Sequence, residues 1–312
     1  MHAHGDAPRQ QGKRSYEDVE MDNETSKQHD LGRSQKIYGD DEQVAWTEQL
    51  QKLEKGLTEK CHHYQARGDV PWDIQKYWEQ RYSIWSAYDH GIYMTDDAWF
   101  GVTPEPVAVR VASDLMDWIE TKSCIAAENG IEIPERKVII DIFAGAGGNC
   151  IQFALSGQWG RVVAIEKDAD TLACAKINAH VYGVYDKITF IHSDCFKYVA
   201  DHLSLSPGDP YRINPEETVI FASPPWGGPQ YKGDKVFNLD TMEPYSGQVI
   251  HELVKGMDHA LFLPRTSDLR QIGRMIPDGQ EEKIEVVQYC MEGASKALVA
   301  YVPALVEGKE RE

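Results

Sequence analysis

The sequence predicts a doubly wound α/β fold: a mainly parallel, seven-stranded sheet preceded by an N-terminal helical extension. Three observations carry this. From Lys137 onward, short apolar runs rich in Val and Ile alternate with amphipathic stretches, the pattern of strands covered on both faces by crossover helices. The first run, Val138-Ile139-Ile140-Asp141-Ile142-Phe143, passes directly into Ala144-Gly145-Ala146-Gly147-Gly148, a glycine-rich turn suited to joining a strand to the next helix. The last two runs, 284–291 and 296–302, are joined at Glu292-Gly293-Ala294-Ser295, so an antiparallel hairpin is expected to close the sheet.

The chain has 312 residues and a formal net charge of −18. That balance argues against sequence-blind binding to a nucleic acid backbone. Any RNA contact should be small, base-centred and built on a few placed Lys or Arg residues. No apolar run approaches the roughly 18 residues of a membrane helix, and the start, Met1-His2-Ala3-His4, has no apolar signal-peptide core. The six cysteines (Cys61, Cys124, Cys150, Cys174, Cys195 and Cys290) show no Cys-x-x-Cys pair. Free thiols in a reducing compartment, and no metal site, are expected.

Taken in order, residues 1–40 are polar and too poor in apolar side chains to offset their ordering entropy, so a disordered tail is expected. From Gln43 to Tyr64, Val44, Trp46, Leu50, Leu53 and Leu57 follow a helical spacing. Pro71-Trp72-Asp73 opens a second helix, with Ile74, Tyr77, Trp78, Arg81, Tyr82 and Trp85 on one face. A third runs from about Pro106 to Glu128, with Thr103 as its N-cap and Pro104 at its first position. Residues 41–130 thus form the extension, 131–305 the α/β core and 306–312 a charged tail. In the core a helix through Cys150, Ile151 and Phe153 is followed by strand 162–165, which ends in Glu166. Helix Ala169–Val181 and strand 188–191 come next, the strand ending at His192-Ser193-Asp194. Strand 218–222 runs into Ser223-Pro224-Pro225-Trp226-Gly227-Gly228-Pro229, and a helix at 247–258, a strand at 260–263 and a helix from Ser267 precede the hairpin.

The chemistry gathers at strand ends, where open α/β sheets bind ligands. Asp141-x-Phe143-Ala144-Gly145-x-Gly147-Gly148 lets a ligand approach the backbone and offers free N–H groups at a helix start. Glu166, closing the next strand, can accept from both hydroxyls of a ribose, and Asp194, closing the third, suits an adenine amine. A dinucleotide loop needs G-x-G-x-x-G with a small third position. Here Cys150 stands there and an acid precedes the glycines, so the three acids fit S-adenosylmethionine better than NAD. In the second half, two prolines stiffen the chain after Ser223 and an indole follows at Trp226. Rigid acceptors beside an aromatic plate suit a planar base held by its exocyclic amine. Tyr231 and Asp234 read as loop scaffold, and no strong general base is needed, because positioning the reactants supplies most of what the reaction requires.

These residues resemble the class I S-adenosylmethionine-dependent methyltransferases. Trp78, Arg81, Asp89, Gly91, Trp99-Phe100, Val102-Thr103-Pro104-Glu105, the loop at Asp141–Gly148, Asn178 and Ser223–Pro229 resemble, more narrowly, the trimethylguanosine synthase family. The resemblance covers about Trp72 to Val302. It implies methylation of the guanine N2 amine in the 7-methylguanosine cap of small nuclear and nucleolar RNAs, giving a 2,2,7-trimethylguanosine cap. It further implies a nuclear and nucleolar location, a monomer, and small ribonucleoprotein proteins as partners. By the same resemblance, Trp226 would stack on the methylated base with Trp85 on the pocket wall, and Asn178 would read a guanine edge. Ser223 and the Pro224 carbonyl would accept from the amine, Lys76 and Arg265 would bind cap phosphates, and Thr103 would hold the methionine end of the cofactor. The rival readings are an N6-adenine-type methyltransferase, disfavoured by Ser223 and the Lys76–Trp85 helix, and a catalytically silent cap-binding module.

Overall fold

At the centre of the sheet lies β1 (Val138–Asp141), paired in parallel with β2 (Arg161–Glu166) on one side and β4 (Thr218–Ala222) on the other. In this computed structural model, which describes residues 40–228, 235–277 and 282–305, β3 (Ile188–His192) adds in parallel to β2, and β5 (Asp258–Pro264) to β4. The closing hairpin is β6 (Glu285–Met291) and β7 (Ala294–Val302), and its second strand is the one that pairs with β5. The order is therefore β3-β2-β1-β4-β5-β7-β6. Connections leave β1 and β4 in opposite directions, so a crevice opens at their carboxyl ends.

Alternation along the strands divides the core. Ile139, Val219, Phe221 and Ala260 face one side of the sheet and pack with α5 (Glu105–Glu128), α6 (Gly148–Ser156) and α7 (Ala169–Val181). Ile140, Ile220 and Leu261 face the other, with α8 (Cys195–Leu203), α9 (Gly247–Val254) and α10 (Leu269–Gly273). Both faces being covered, β4 and β5 are buried at every residue, which explains the apolar runs Val219–Ala222 and Ala260–Pro264. At one end of β5, the buried carboxylate of Asp258 is held by Lys122 of α5, by Arg136 ahead of β1 (Nη2, 2.9 Å) and by the Ala304 N–H.

The extension departs from the expected helices. Its first, α1 (Asp40–Glu54), stops well before Tyr64: the Gly56 N–H turns back to the Leu53 carbonyl, and His62 then pairs with Met94 in an isolated antiparallel bridge. The expected helix 71–85 is two short ones, α2 (Gln75–Trp78) and α3 (Arg81–Ile84), separated where Gln80 leaves the helical region (φ −95°, ψ 13°). A fourth, α4 (Ala98–Gly101), precedes α5. Thr103 is not the cap of α5; the helix begins at Glu105 with Pro104 as its N-cap. Helix α8 was not expected, although Asp194 as N-cap, accepting from the Lys197 N–H at 3.0 Å, and the spacing of Cys195, Tyr198, Val199 and Leu203 mark it. The tails at 1–39 and 306–312, with Pro229, Tyr231 and Asp234, lie outside the described residues.

Candidate active site

The glycine-rich loop follows from β1 and from the conformations its glycines permit. Gly147 caps α6 at φ +99°, where an added Cβ would also come to 3.1 Å from Ile151 Cδ1. Gly145, at φ +53°, turns its N–H to the Oε2 of Glu166 at 3.0 Å, and the Asp168 N–H takes Oε1 at 2.9 Å. Glu166 is thus fixed by two backbone donors, with a lone pair on each oxygen still available to hydroxyls. Phe143, Ala144, Gly145 and Glu166 line a cavity of about 950 Å³ at the carboxyl ends of the strands. Gly147 shapes the loop from beneath and does not line it.

Among the described residues, two acceptors beside this loop are buried without partners. Asn149 lines the cavity and donates its Nδ2 to Thr103 Oγ1 at 3.0 Å, which leaves its Oδ1 with nothing to bind. Asp141 lies one layer deeper and is fully buried; its Oδ1 takes the Phe143 N–H at 3.2 Å, and its Oδ2 has no donor. Burial pushes the Asp141 carboxyl up to about 7, against the pull of the Phe143 N–H and with a further push from the Glu166 charge.

Asp194 also lines the cavity. Burial alone would raise its carboxyl, but the Tyr245 hydroxyl at 2.6 Å and the N–H groups of Lys197 and Phe196 outweigh that and hold it below the usual range. The bond to Asp194 in turn pushes the Tyr245 phenol up to about 12, so it stays a donor.

The second half of the cavity is built at the end of β4. Ser223, Pro224 and Trp226 all line it. The Trp226 ring lies nearly parallel to Phe262 of β5 (centroids 5.8 Å apart, 13° between planes), and its Nε1 donates to the Phe262 carbonyl at 3.3 Å. The indole plane is therefore set by the sheet rather than by the loop alone. Lys76 of α2 also lines the cavity, with its ammonium 4.8 Å from the Tyr77 ring centroid.

Three expected substrate residues are placed elsewhere. Trp85 is 1% exposed, with its ring 6.0 Å from Tyr182, and forms no part of the cavity wall. The break in 71–85 turns it into the core. Asn178 is fully buried: its Nδ2 donates to the carbonyls of Tyr93 and Ala146, and its Oδ1 accepts from the Tyr93 N–H. Those bonds fasten the extension to the glycine-rich loop and leave no amide donor for a base. Arg265 is exposed and does not line the cavity; its guanidinium reaches the Ser295 carbonyl at 3.5 Å. Conversely Asn149, Tyr245, Phe262 and Lys296 line the site without having been singled out. For Asn149 the signal was its place directly after the glycines. For the others, position along the chain carries none.

A sheet ordered β3-β2-β1-β4-β5-β7-β6, with a glycine-rich loop after β1 and acids closing β2 and β3, defines a class I methyltransferase. The sequence profile of the RNA cap guanine-N2 methyltransferase family matches residues 136–305. The chain is 34% identical over 235 residues to the trimethylguanosine synthase of Schizosaccharomyces pombe, spanning 74% of this chain and 87% of that protein. It is 32% identical over 251 residues to the trimethylguanosine synthase of Saccharomyces cerevisiae, spanning 76% of this chain and 72% of that protein. The chain belongs to the RNA cap guanine-N2 methyltransferase family.

Proposed function

We propose that this enzyme methylates the guanine N2 amine of a 7-methylguanosine cap, using S-adenosylmethionine, and carries it to the 2,2,7-trimethylguanosine form. The observation that carries the reading is one cavity shared by two sets of groups. The glycine loop with Glu166, Asp194 and Asn149 forms one end, and Ser223, Pro224 and Trp226, three neighbouring positions after β4, form the other.

The cofactor fits the first set. Glu166 would take the ribose hydroxyls and Asp194 the adenine amine. Asn149 Oδ1, with the buried Asp141 carboxylate at the end of β1, would answer the methionine ammonium, and Thr103 fixes the Asn149 amide. When bound, S-adenosylmethionine supplies an electrophilic methyl on a sulfonium whose departure leaves a neutral thioether. Trp226 would hold the base in plane, and a 7-methylated guanine is cationic, so the indole face adds cation–π attraction that the unmethylated base lacks. The Ser223 hydroxyl, which makes no hydrogen bond among the described residues, and the Pro224 carbonyl would accept the two N2 protons and turn the nitrogen lone pair toward the methyl. Methylation leaves the nitrogen cationic, and it returns to neutrality by releasing a proton. Holding the amine in line is the chief requirement.

Small nuclear and nucleolar RNAs, handled in the nucleus with their ribonucleoprotein partners, are the substrates this reading implies. Incubation with a 7-methylguanosine cap dinucleotide and S-adenosylmethionine, followed by mass measurement, tests it. Products heavier by one and then two methyl groups, all on guanine N2, are expected. An unchanged cap, or a methyl on the adjoining nucleotide, would overturn it.

A further inference from the structure

Two helix starts meet at the Asp194 end of the cavity. Asp194 is the N-cap of α8 and holds it with one oxygen, Oδ1, which accepts from the Lys197 N–H at 3.0 Å. Ser246 is the N-cap of α9, its Oγ accepting from the Val249 N–H at 3.3 Å, and Tyr245 comes directly before it. The Tyr245 hydroxyl donates to the other oxygen of Asp194, Oδ2, at 2.6 Å. Its ring rests on Phe196, in the first turn of α8, with centroids 3.9 Å apart. Asp194 and Tyr245 both line the cavity, whereas Phe196 does not.

The last torsion of an aspartate is soft, because rotation of a planar group on a tetrahedral carbon has no sharp staggered wells. A carboxylate that caps a helix through one oxygen can therefore swing the other. Here the second oxygen is tied as well, so the carboxylate plane is fixed, with a lone pair on each oxygen still available. The tie comes from the far half of the crevice. Asp194 follows β3, whereas Tyr245 belongs to the connection that leaves β4, and three strand spacings of about 4.8 Å, or about 14 Å, separate those strands. Capping α8 requires none of this. Fixing the acid matters only to what the acid meets in the cavity.

We propose that Tyr245 is a positioning residue for cofactor selection: by fixing the Asp194 carboxylate, it makes that acid accept the exocyclic amine of adenine and reject a purine that carries oxygen there. The inference rests on the cofactor reading above and adds to it the residue that makes the adenine contact selective. Adenine offers a donor amine beside an acceptor ring nitrogen, N1. Hypoxanthine offers an acceptor oxygen beside a donor N1–H. A carboxylate free to swing can serve either base, by turning from the amine position to the N1–H. One held at both oxygens faces the hypoxanthine oxygen with a lone pair and is repelled. The single proton of the Tyr245 hydroxyl is committed to Asp194, so the phenol acts through the acid and not on the base.

The test compares S-adenosylhomocysteine with S-inosylhomocysteine by calorimetry, on the wild type, Tyr245→Phe, Asp194→Asn and the double variant. The wild type should prefer the adenosyl compound by about ten- to a hundredfold, the range of one hydrogen bond to a charged group. Tyr245→Phe keeps the ring on Phe196 and removes only the hydroxyl, and it should shrink that preference by about three- to tenfold, the range of one ordinary hydrogen bond. In the Asp194→Asn background, Tyr245→Phe should change the ratio of the two affinities by less than about twofold, because the phenol acts through the acid. A merely structural hydroxyl would lower both affinities together, so an unaltered ratio in Tyr245→Phe would overturn the inference alone. An equal loss of the preference with and without Asp194→Asn would overturn it too. A wild type that binds both compounds equally would overturn the adenine contact of Asp194, and one that binds neither would overturn the cofactor reading itself.

Discussion

Replacing Asn178 by Leu should unfold much of what joins the extension to the core, without touching the base. The amide makes three hydrogen bonds at 2.8–2.9 Å, to the N–H and carbonyl of Tyr93 and to the carbonyl of Ala146. Leucine, of the same branched shape though bulkier, strands all three backbone groups around a side chain that has no exposure. Each orphaned buried group costs about 1–3 kcal/mol. Allowing for relaxation, the total is about 3–6 kcal/mol, against about 5–15 kcal/mol for a whole domain. Because Ala146 belongs to the glycine-rich loop, S-adenosylhomocysteine affinity should fall as well, and activity on every cap analogue should drop together. Urea unfolding of the two proteins, with cofactor titration and KM for the cap, measures all of this. A variant with wild-type urea midpoint and wild-type cofactor affinity, but a raised KM for the cap alone, would show Asn178 reading the base and refute the reasoning.

Asp141 gives a pH dependence. Its folded value of about 7 lies above the ordinary 3.8, so the folded chain holds a proton that the unfolded chain has released, and stability falls as pH rises from about 4 to about 7. Urea midpoints at pH 5 and pH 8 should therefore differ less in Asp141→Asn than in the wild type, while that variant loses cofactor affinity at pH 8. Asp258→Asn should destabilise the protein by about 3–5 kcal/mol, because Lys122 and Arg136 are left facing each other without their buried anion; a midpoint unchanged in urea would show the cluster to be inert.

Strands were legible because burial on both faces leaves an unbroken apolar run, and the loop because glycine alone tolerates its left-handed positions at little cost. Glu166 and Asp194 were legible for a related reason: an acid ending a buried strand has few places to go but the crevice. What was not legible depends on tertiary fit. An indole at position 85 reads the same whether it lines a pocket or fills a core, and only the break at Gln80 decides. An amide at position 178 gives no sign that two strangers in sequence, Tyr93 and Ala146, will use all its donors. Nothing in Ser295-Lys296-Ala297 announces the bulge that forms against β6, where Tyr289 faces Ala297 and Cys290 faces Ser295. Helix α8, by contrast, was there to be read in the Asp194 cap and the apolar spacing after it.

The central claim is that Trp226, set by Phe262, recognises a cationic base whose amine Ser223 presents. The most direct measurement is kcat/KM on 7-methylated and unmethylated cap for the wild type, Trp226→Phe, Trp226→Leu and Ser223→Ala. The wild type should prefer the methylated cap, with binding contributing roughly 0.5–2 kcal/mol, a few-fold to about thirtyfold. Trp226→Phe should keep part of that preference and Trp226→Leu should lose most of it, whereas Ser223→Ala should lower kcat more than affinity. If Trp226→Leu still prefers the methylated cap at the wild-type ratio, the indole does not read the charge and the account fails at its centre.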